Sequence, residues 1–210
     1  MIYMCKWQDF APINTSRVRE ETEWSITYSY NTTRTDLPRV LLIGDSICNA
    51  YSSKVREYLD GRSTVSFWVS SKCVTDPDYF REMDLILSAY SYDVVCFNNG
   101  LHSLSSDRAE WEPAYRAAVE FILAKLPAVK LLLTLSTPLK DEKLTAISSS
   151  LNEIVVTMAR EKGITVIDLF SEMDTLSRDE YWSDTFHFHA SAVSIQAKKI
   201  ANNVLEQLGR

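Results

Sequence analysis

Short apolar runs alternate with longer segments of helical period from residue 39 to the C-terminus. The runs are rich in β-branched and aliphatic residues and cover positions 40–43, 65–69, 93–97, 129–135 and 164–168. This alternation is typical of βα units, in which helices join consecutive parallel strands. We therefore expect an α/β domain of three layers, with a five-stranded parallel sheet between two layers of helices.

Two of the intervening segments carry a clear helical stripe. Their apolar residues recur every three or four positions, as on one face of a helix. The first stripe is Leu144, Ile147, Leu151, Ile154, Val155 and Met158, and the second is Val193, Ala197, Ile200, Val204 and Leu208. Asp76 followed by Pro77 predicts a helix start, and Gly61 and Gly163 predict helix ends.

The first 36 residues differ from the rest of the chain. They contain Trp7, Trp24, Tyr28 and Tyr30 among many polar residues and show no clear period. We expect an N-terminal extension over residues 1–36 that packs on a main domain over residues 37–210. An added strand is predicted around residues 24–30.

Composition excludes several classes of partner. The chain has 22 basic and 28 acidic residues and a net charge of −6. It has no Lys/Arg block that could follow a phosphate backbone, which argues against nucleic acid as a partner.

No apolar run approaches the roughly 18 residues of a membrane span. Residues 1–10 also lack the basic, apolar and small residues that follow one another in a signal peptide. We expect a cytoplasmic protein unless an export signal has been removed. The four scattered cysteines predict free thiols.

Two segments supply the parts of a serine hydrolase. Ser46 follows the first predicted strand and precedes a helical segment, so its side chain would sit at a helix N-terminus. Asp184 and His187 are three residues apart, a spacing that allows a hydrogen bond from the imidazole to the carboxylate. A serine needs such a pair to take its proton and hold the base. Both segments fall at the carboxyl edge of the predicted sheet.

Each of these segments also has a simpler interpretation. The segment Gly44-Asp45-Ser46 could be an ordinary strand-to-helix turn, and Asp184 and His187 could lie in a surface loop. His187 and His189, with a nearby carboxylate, could instead bind a metal ion, although the sequence specifies no further ligand. We expect neither metal nor cofactor.

A polar cluster, Asn98-Asn99-Gly100-Leu101-His102-Ser103, directly follows the third predicted strand. Polar, glycine-containing clusters in this position are usually turns. If the first and third strands are neighbours, however, the cluster lies beside Ser46. An amide or imidazole N–H from it could then stabilise an oxyanion.

These three segments together resemble signature blocks of the SGNH (GDSL) hydrolases, in order and spacing from residue 39 onwards. The resemblance implies a flavodoxin-like sheet of order 2-1-3-4-5 and ester hydrolysis through a serine acyl-enzyme. It also implies that Ser46 is the nucleophile and one oxyanion donor, that His187 is the base and then the acid, and that Asp184 orients His187. The segment that contains Ser46 lacks the last glycine of the pattern Gly-x-Ser-x-Gly. This argues against the nucleophile turn of the α/β-hydrolases.

The chain departs from the family pattern at two places. His102 stands where the family usually has an oxyanion-binding asparagine, and Ser103 replaces the following aspartate. An imidazole N–H can donate the same hydrogen bond. The second block normally supplies a glycine amide, but no glycine occurs between Gly61 and Gly100. Lys72, just past the second predicted strand, is the candidate for that amide.

The resemblance and the candidate residues predict a serine esterase that removes a small acyl group, in particular acetyl, from a hydroxylated compound such as a sugar. Trp68 and Trp182 are candidates for stacking on sugar rings. One alternative is a non-catalytic carbohydrate-binding or interaction domain on the same fold. Another is an O-acyltransferase that uses the same triad.

Overall fold

The computed structural model describes residues 5–210, and a six-stranded sheet forms its central layer. The strands are Ser25–Ser29 (β1), Arg39–Gly44 (β2), Thr64–Ser70 (β3), Val94–Phe97 (β4), Lys130–Thr134 (β5) and Thr165–Ile167 (β6). Their spatial order is β1-β3-β2-β4-β5-β6, and β2 to β6 are parallel. The five parallel strands therefore have the predicted order 2-1-3-4-5.

The remaining strand, β1, is not part of the parallel set and comes from the N-terminal extension. It pairs antiparallel with β3, with Ser25 opposite Ser70 and Ser29 opposite Ser66. The strand predicted around residues 24–30 is thus confirmed, and the sheet has one strand more than the five predicted for the domain. The indole N–H of Trp68 in β3 donates to Ser25 Oγ at 2.9 Å, which adds a side-chain link between the two strands.

Helices cover both faces of the sheet. They are Ser46–Tyr58 (α1), Pro77–Leu87 (α2), Arg108–Lys125 (α3), Glu142–Lys162 (α4), Leu169–Asp174 (α5), Arg178–Tyr181 (α6) and Ala190–Leu208 (α7). The two predicted stripes lie on α4 and α7, and Gly163 ends α4 with a φ of 65°. Across residues 5–210, no helix has the combination of length and apolar character that crossing a bilayer requires.

Alternate residues of the central strand β2 enter two separate cores. Val40 and Leu42 pack with side chains of α1 and α7, whereas Leu41 and Ile43 pack with side chains of α2, α3 and α4. All four side chains are almost completely buried. Because successive strand residues point to opposite faces, a continuous apolar run is what a strand covered on both faces requires. The three-layer prediction is confirmed.

Asp76 begins α2 as predicted, but its side chain does not cap the helix. Its Oδ2 instead accepts hydrogen bonds from the Cys73 N–H at 2.9 Å and from Arg17 Nη1 at 2.6 Å. Burial raises the pKa of Asp76 above its usual value, although both hydrogen-bonded neighbours oppose the shift. The carboxylate turns away from the helix because the buried Arg17 guanidinium needs an opposite charge.

The N-terminal extension is tied to the rest of the chain at several points. The ring of Phe10 lies 5.2 Å from that of Phe121 on α3. Trp24 and Ser71 exchange hydrogen bonds, because the Trp24 N–H donates to Ser71 Oγ at 2.9 Å and the Ser71 N–H donates to the Trp24 carbonyl at 3.1 Å. The division of the chain at residue 36 stays a prediction, since β1 belongs to the same sheet.

Gly100 lies where the loop after β4 approaches the loop after β5. A Cβ at this position would lie 1.7 Å from Ser136 Oγ and 2.9 Å from Ser136 Cβ. Because both segments are buried, Gly100→Ala should lower the free energy of unfolding by about 1–3 kcal/mol through overpacking. Chemical denaturation measures this loss.

The matched control removes the atoms that the new methyl group would meet. In a Ser136→Gly background, Gly100→Ala should cost clearly less than it does in the wild type. An equal cost in both backgrounds would contradict the close contact between these loops.

Candidate active site

Ser46 is placed by a tight turn between β2 and α1. A Cβ at Gly44 would lie 2.6 Å from Cys48 Cβ, so only glycine lets the strand turn this sharply into the helix. Asp45 caps the helix, because its Oδ1 accepts from the Ile47 N–H at 2.9 Å. Ser46 is the first residue of α1, where backbone N–H groups lack acceptors within the helix. The turn thus presents a hydroxyl next to unused donors.

Asp184 organises the loop that carries His187. Its Oδ1 accepts from the N–H groups of Phe186 at 2.7 Å and His187 at 2.8 Å, and its Oδ2 lies 2.8 Å from His187 Nδ1. Partial burial alone would raise the pKa of Asp184, but these hydrogen bonds outweigh it and lower the pKa to about 2. The carboxylate is therefore ionised at neutral pH and fixes a proton on Nδ1.

The other ring nitrogen of His187 reaches Ser46. His187 Nε2 lies 2.9 Å from Ser46 Oγ, across a sequence separation of 141 residues. With the ring proton on Nδ1, neutral His187 has its lone pair on Nε2 and can accept the serine hydroxyl proton. The structure thus brings the three residues predicted for catalysis into one hydrogen-bonded chain. Their catalytic roles stay a prediction.

The loop from Trp182 to Phe188 is anchored in the core. These two residues form an isolated antiparallel bridge, and their rings lie 4.5 Å apart. The Ser183 N–H also donates to the His187 carbonyl at 2.9 Å. Because the loop is closed on itself, the His187 ring is held without help from a ligand.

The two tryptophans predicted at the rim are not there. Trp182 is 2% exposed and Trp68 is 1% exposed. Trp182 packs under the loop that carries His187, and Trp68 packs against Tyr79 on α2, with ring centroids 4.8 Å apart. Both positions are needed for packing, so neither indole can stack on a bound sugar.

The two asparagines after β4 hold the loop instead of facing the serine. Asn98 Nδ2 donates to the Thr134 carbonyl at 2.8 Å. Asn99 Oδ1 accepts from the Val74 N–H at 3.0 Å, and Asn99 Nδ2 donates to the Lys72 carbonyl at 2.9 Å. These amides fix the position of the short 3₁₀ turn Leu101–Ser103 that follows.

The prediction that Lys72 supplies an oxyanion donor is wrong. Its backbone N–H donates to Ser70 Oγ at 3.1 Å, and its amine pairs with Glu82 and Asp78. The Ser71 amide on one side and the Cys73 amide on the other are also occupied, by the extension and by Asp76. The amides of this segment attach the N-terminal extension and form the turn before α2.

His102 has one occupied and one free ring nitrogen. Its Nδ1 lies 2.6 Å from Glu20 Oε1 of the N-terminal extension. Its Nε2 is buried and has no hydrogen-bond partner among residues 5–210. The ring borders the same cleft as Ser46 and His187.

This cleft has a volume of about 480 Å³. Its walls combine the reactive groups with several apolar side chains, and they consist of Glu20, Trp24, Ser46, Leu101, His102, Leu104, Ser105, Leu144, Phe186 and His187. Sequence reasoning missed Glu20 and Trp24, because the extension shows no periodic pattern and only folding brings it to the cleft. Leu101 and Phe186 lie next to His102 and His187 in the chain, so their positions at the cleft could have been predicted from those neighbours.

The structure offers little for a metal at this site. Within residues 5–210, no three His, Cys, Asp or Glu side chains converge as metal ligands would. Both oxygens of Asp184 are occupied by the loop, and His189 begins α7. Among the same residues the four cysteines, Cys5, Cys48, Cys73 and Cys96, are free, as expected.

Comparisons with known proteins identify the fold. An acetyl xylan esterase, AlAXEase, matches with a TM-score of 0.69 and 18% identity, over 79% of this chain and 99% of that one. A GDSL-like lipase from Bacteroides thetaiotaomicron matches at 0.64 and 15%, over 80% and 88%. A family two carbohydrate esterase from Clostridium thermocellum, solved with cellohexaose, matches at 0.62 and 15%, over 82% and 65%. The chain therefore has the fold of the SGNH hydrolases.

Sequence comparisons add nothing to this result. No family model matches the chain, and no curated protein matches it. The likeness thus lies in the arrangement of the backbone.

The geometry predicts that Ser46 reacts with a fluorophosphonate probe. Ser46→Ala should abolish labelling, because removing such a nucleophile costs several orders of magnitude in rate. The labelling rate should be higher at higher pH, since only the neutral imidazole can take the serine proton. Asp184, with a pKa of about 2, stays ionised throughout and adds no second step.

His189 provides the matched control for His187. His187→Ala should slow labelling strongly, and His189→Ala should leave it unchanged. Equal labelling of wild type and Ser46→Ala would contradict the assignment of the nucleophile. Loss of labelling in His189→Ala alone would place the base on the other imidazole.

Proposed function

We propose that this protein is a serine esterase that hydrolyses small acyl esters, in particular acetyl esters of hydroxylated compounds such as sugars. The observation that carries the proposal is the hydrogen-bonded chain from Asp184 through His187 to Ser46, which borders an open cleft. No cofactor is needed for this chemistry. The fold comparisons are consistent with the same activity.

In the first half of the reaction, His187 Nε2 takes the proton from Ser46 Oγ while the oxygen bonds to the ester carbonyl carbon. The electron pair of the carbonyl π bond moves to its oxygen, which becomes an oxyanion. When the oxyanion collapses, the bond to the alcohol oxygen breaks and that oxygen takes the proton from His187. The acyl group is then bound to Ser46.

In the second half, water replaces the alcohol. His187 takes a proton from the water as its oxygen bonds to the acyl carbon, and a second oxyanion forms. Collapse breaks the bond to Ser46 Oγ, which recovers its proton from His187. The carboxylic acid leaves, and Asp184 stabilises the charged imidazole in both halves.

Two donors are available for the oxyanion. One is the Ser46 N–H at the start of α1, where the helix dipole also favours negative charge. The other is His102 Nε2, which is buried beside the cleft and has no partner within residues 5–210. With Lys72 excluded, we assign the oxyanion to Ser46 and His102.

The shape of the cleft supports a substrate with both an acyl group and a larger alcohol. Its volume of about 480 Å³ exceeds the needs of an acetyl group alone. Leu101, Leu104 and Leu144 supply apolar wall, and Trp24 and Phe186 supply aromatic rings that a sugar could contact. Acetyl xylan and carbohydrate esterases among the proteins of similar fold support a carbohydrate ester.

The proposal is tested with p-nitrophenyl acetate, butyrate and octanoate beside a panel of acetylated sugars. We expect hydrolysis of acetate to exceed that of octanoate, and release of acetate from at least one sugar ester. Ser46→Ala measures the background rate. No hydrolysis of any ester by the wild type would refute the esterase and favour a non-catalytic binding domain.

Two further arms of the assay separate the alternatives. Acetylation of an added sugar in preference to water would identify an O-acyltransferase with the same triad. Activity should survive exhaustive treatment with EDTA, and its loss, reversed by zinc, would favour a metal site formed by Asp184, His187 and His189.

His102 gives a separate prediction about the oxyanion. His102→Ala should lower kcat by about 10²-fold or more with little change in KM, because the lost donor acts mainly in the transition state. His102→Asn should recover part of this loss, since an amide N–H can donate from a similar place. Steady-state kinetics and melting temperatures of both variants distinguish this from a structural role, in which stability falls and kcat of the folded protein does not.

A further inference from the structure

Two side chains of the N-terminal extension belong to the wall of the cleft that contains Ser46. They are Glu20 and Trp24, and both lie outside the blocks that resemble the SGNH hydrolases. The other residues of this wall fall between positions 46 and 187, in the part of the chain that carries the triad. The extension therefore supplies one part of the surface that a substrate would meet beside the reactive groups.

Contacts with two neighbours orient the Glu20 carboxylate. Its Oε1 lies 2.6 Å from His102 Nδ1 and 3.8 Å from Arg17 Nη2. The Glu20 side chain is nevertheless 44% exposed. A carboxylate has about four acceptor positions on its two oxygens, and both of these contacts involve Oε1. The carboxylate can therefore accept further hydrogen bonds from hydroxyl groups in the cleft.

The wall of the cleft is negative. Within residues 5–210, it contains one acidic side chain, that of Glu20, and neither Lys nor Arg. The guanidinium of Arg17 does not offset this charge, because its side chain is 2% exposed and pairs with Asp76 at 2.6 Å and with Glu23 at 3.1 Å. Asp184, in the loop that carries the base, adds a second carboxylate nearby. A substrate with a carboxylate would meet repulsion here, whereas neutral hydroxyl groups would find an acceptor.

Trp24 supplies an aromatic surface in the same wall. Its side chain is partly buried against the core, and its ring meets that of His102 edge to face, with centroids 5.9 Å apart. Its backbone exchanges two hydrogen bonds with Ser71, so the residue is held in place without a ligand. The C–H groups of a sugar ring are apolar and can pack on an indole, while its hydroxyl groups need polar partners. A carboxylate and an indole side by side match both requirements.

We propose that Glu20 and Trp24 form a subsite for the alcohol part of the ester, and that this subsite selects a neutral polyhydroxylated ring over one that carries a carboxylate. The inference rests on the proposed esterase function. It narrows the substrate class to acyl esters of neutral sugars. It also makes the N-terminal extension the segment that decides which alcohol is accepted, while Ser46, His187 and Asp184 carry out the reaction.

The test of Glu20 compares two substrates that differ in one charge. These are acetylated methyl glucoside and acetylated methyl glucuronoside, with the acetyl group on the same hydroxyl. We expect the wild type to hydrolyse the neutral ester with kcat/KM about 10-fold or more above that of the charged one. Glu20→Gln should reduce this ratio to less than about 3-fold. Glu21→Gln, which changes an exposed neighbour, should leave the ratio as it is.

The ratio separates substrate selection from any effect on the chemical step. Both esters use the same triad and the same oxyanion donors, so an effect that Glu20→Gln exerts through His102 cancels. Salt gives a second readout, because ions screen repulsion between charges. Raising NaCl to about 1 M should lower the wild-type ratio and leave that of Glu20→Gln unchanged. Equal ratios in wild type and Glu20→Gln, or a wild-type ratio that salt does not change, would overturn the selection by charge.

The test of Trp24 compares a sugar ester with ethyl acetate, whose alcohol is too small to cover an indole. Trp24→Ala should raise KM for the neutral sugar ester by about 5-fold or more and change kcat/KM for ethyl acetate by less than about 2-fold. Trp24→Phe keeps a ring and should raise KM by a smaller factor. Trp7→Ala removes a tryptophan of the same extension that packs against the other core, and it should leave both esters unaffected. Equal losses on both esters in both Trp24 variants would assign the ring a structural role and overturn the subsite.

The outcomes separate this inference from the proposed function. A wild type that hydrolyses no ester refutes the esterase and the subsite together. A wild type that hydrolyses ethyl acetate and p-nitrophenyl acetate but no ester of a neutral sugar refutes the subsite alone.

Discussion

The hydrogen bond of 2.9 Å between His187 Nε2 and Ser46 Oγ is the contact on which the interpretation of this molecule depends. It forms only if the turn after β2 and the loop before α7 reach the same edge of the sheet. The first of these is favoured by the strand order, because β2 lies at the centre of the sheet and the turn to α1 leaves from its carboxyl end. The second follows α6, so the packing of the loop places it. The buried Trp182 packs beneath this loop and so limits the positions that the His187 imidazole can adopt.

Electrostatics divides the site into two halves that are built differently. Asp184 is held by two backbone N–H groups of its own loop, so its low pKa and its grip on His187 are local properties. Glu20 reaches His102 from a distant segment that is secured by the buried Arg17. The first pair depends on one short loop, whereas the second depends on the packing of the whole extension.

The backbone N–H groups of the three residues after β3 are all engaged in hydrogen bonds within the protein. The N–H of Ser71 binds Trp24, that of Lys72 binds Ser70, and that of Cys73 binds Asp76. A backbone donor engaged in this way cannot also receive an oxyanion. The proposed oxyanion site therefore relies on Ser46 and His102 and not on this segment.

The sequence alone determined the alternation of strands and helices and the helical stripes, because apolar period is a local property that the fold preserves. The strand order was implied only by the resemblance to the SGNH hydrolases. The contact of His187 with Ser46 joins residues 141 positions apart, so only the tertiary structure decides it. The sequence failed for Lys72, Trp68 and Trp182, because the packing of neighbouring elements decides whether a backbone amide is free and whether a ring is buried. The position of the N-terminal extension beside the cleft could not be predicted from the sequence either. Glu20 stands in a segment without a pattern, and only tertiary packing decides that its carboxylate meets an imidazole 82 residues away.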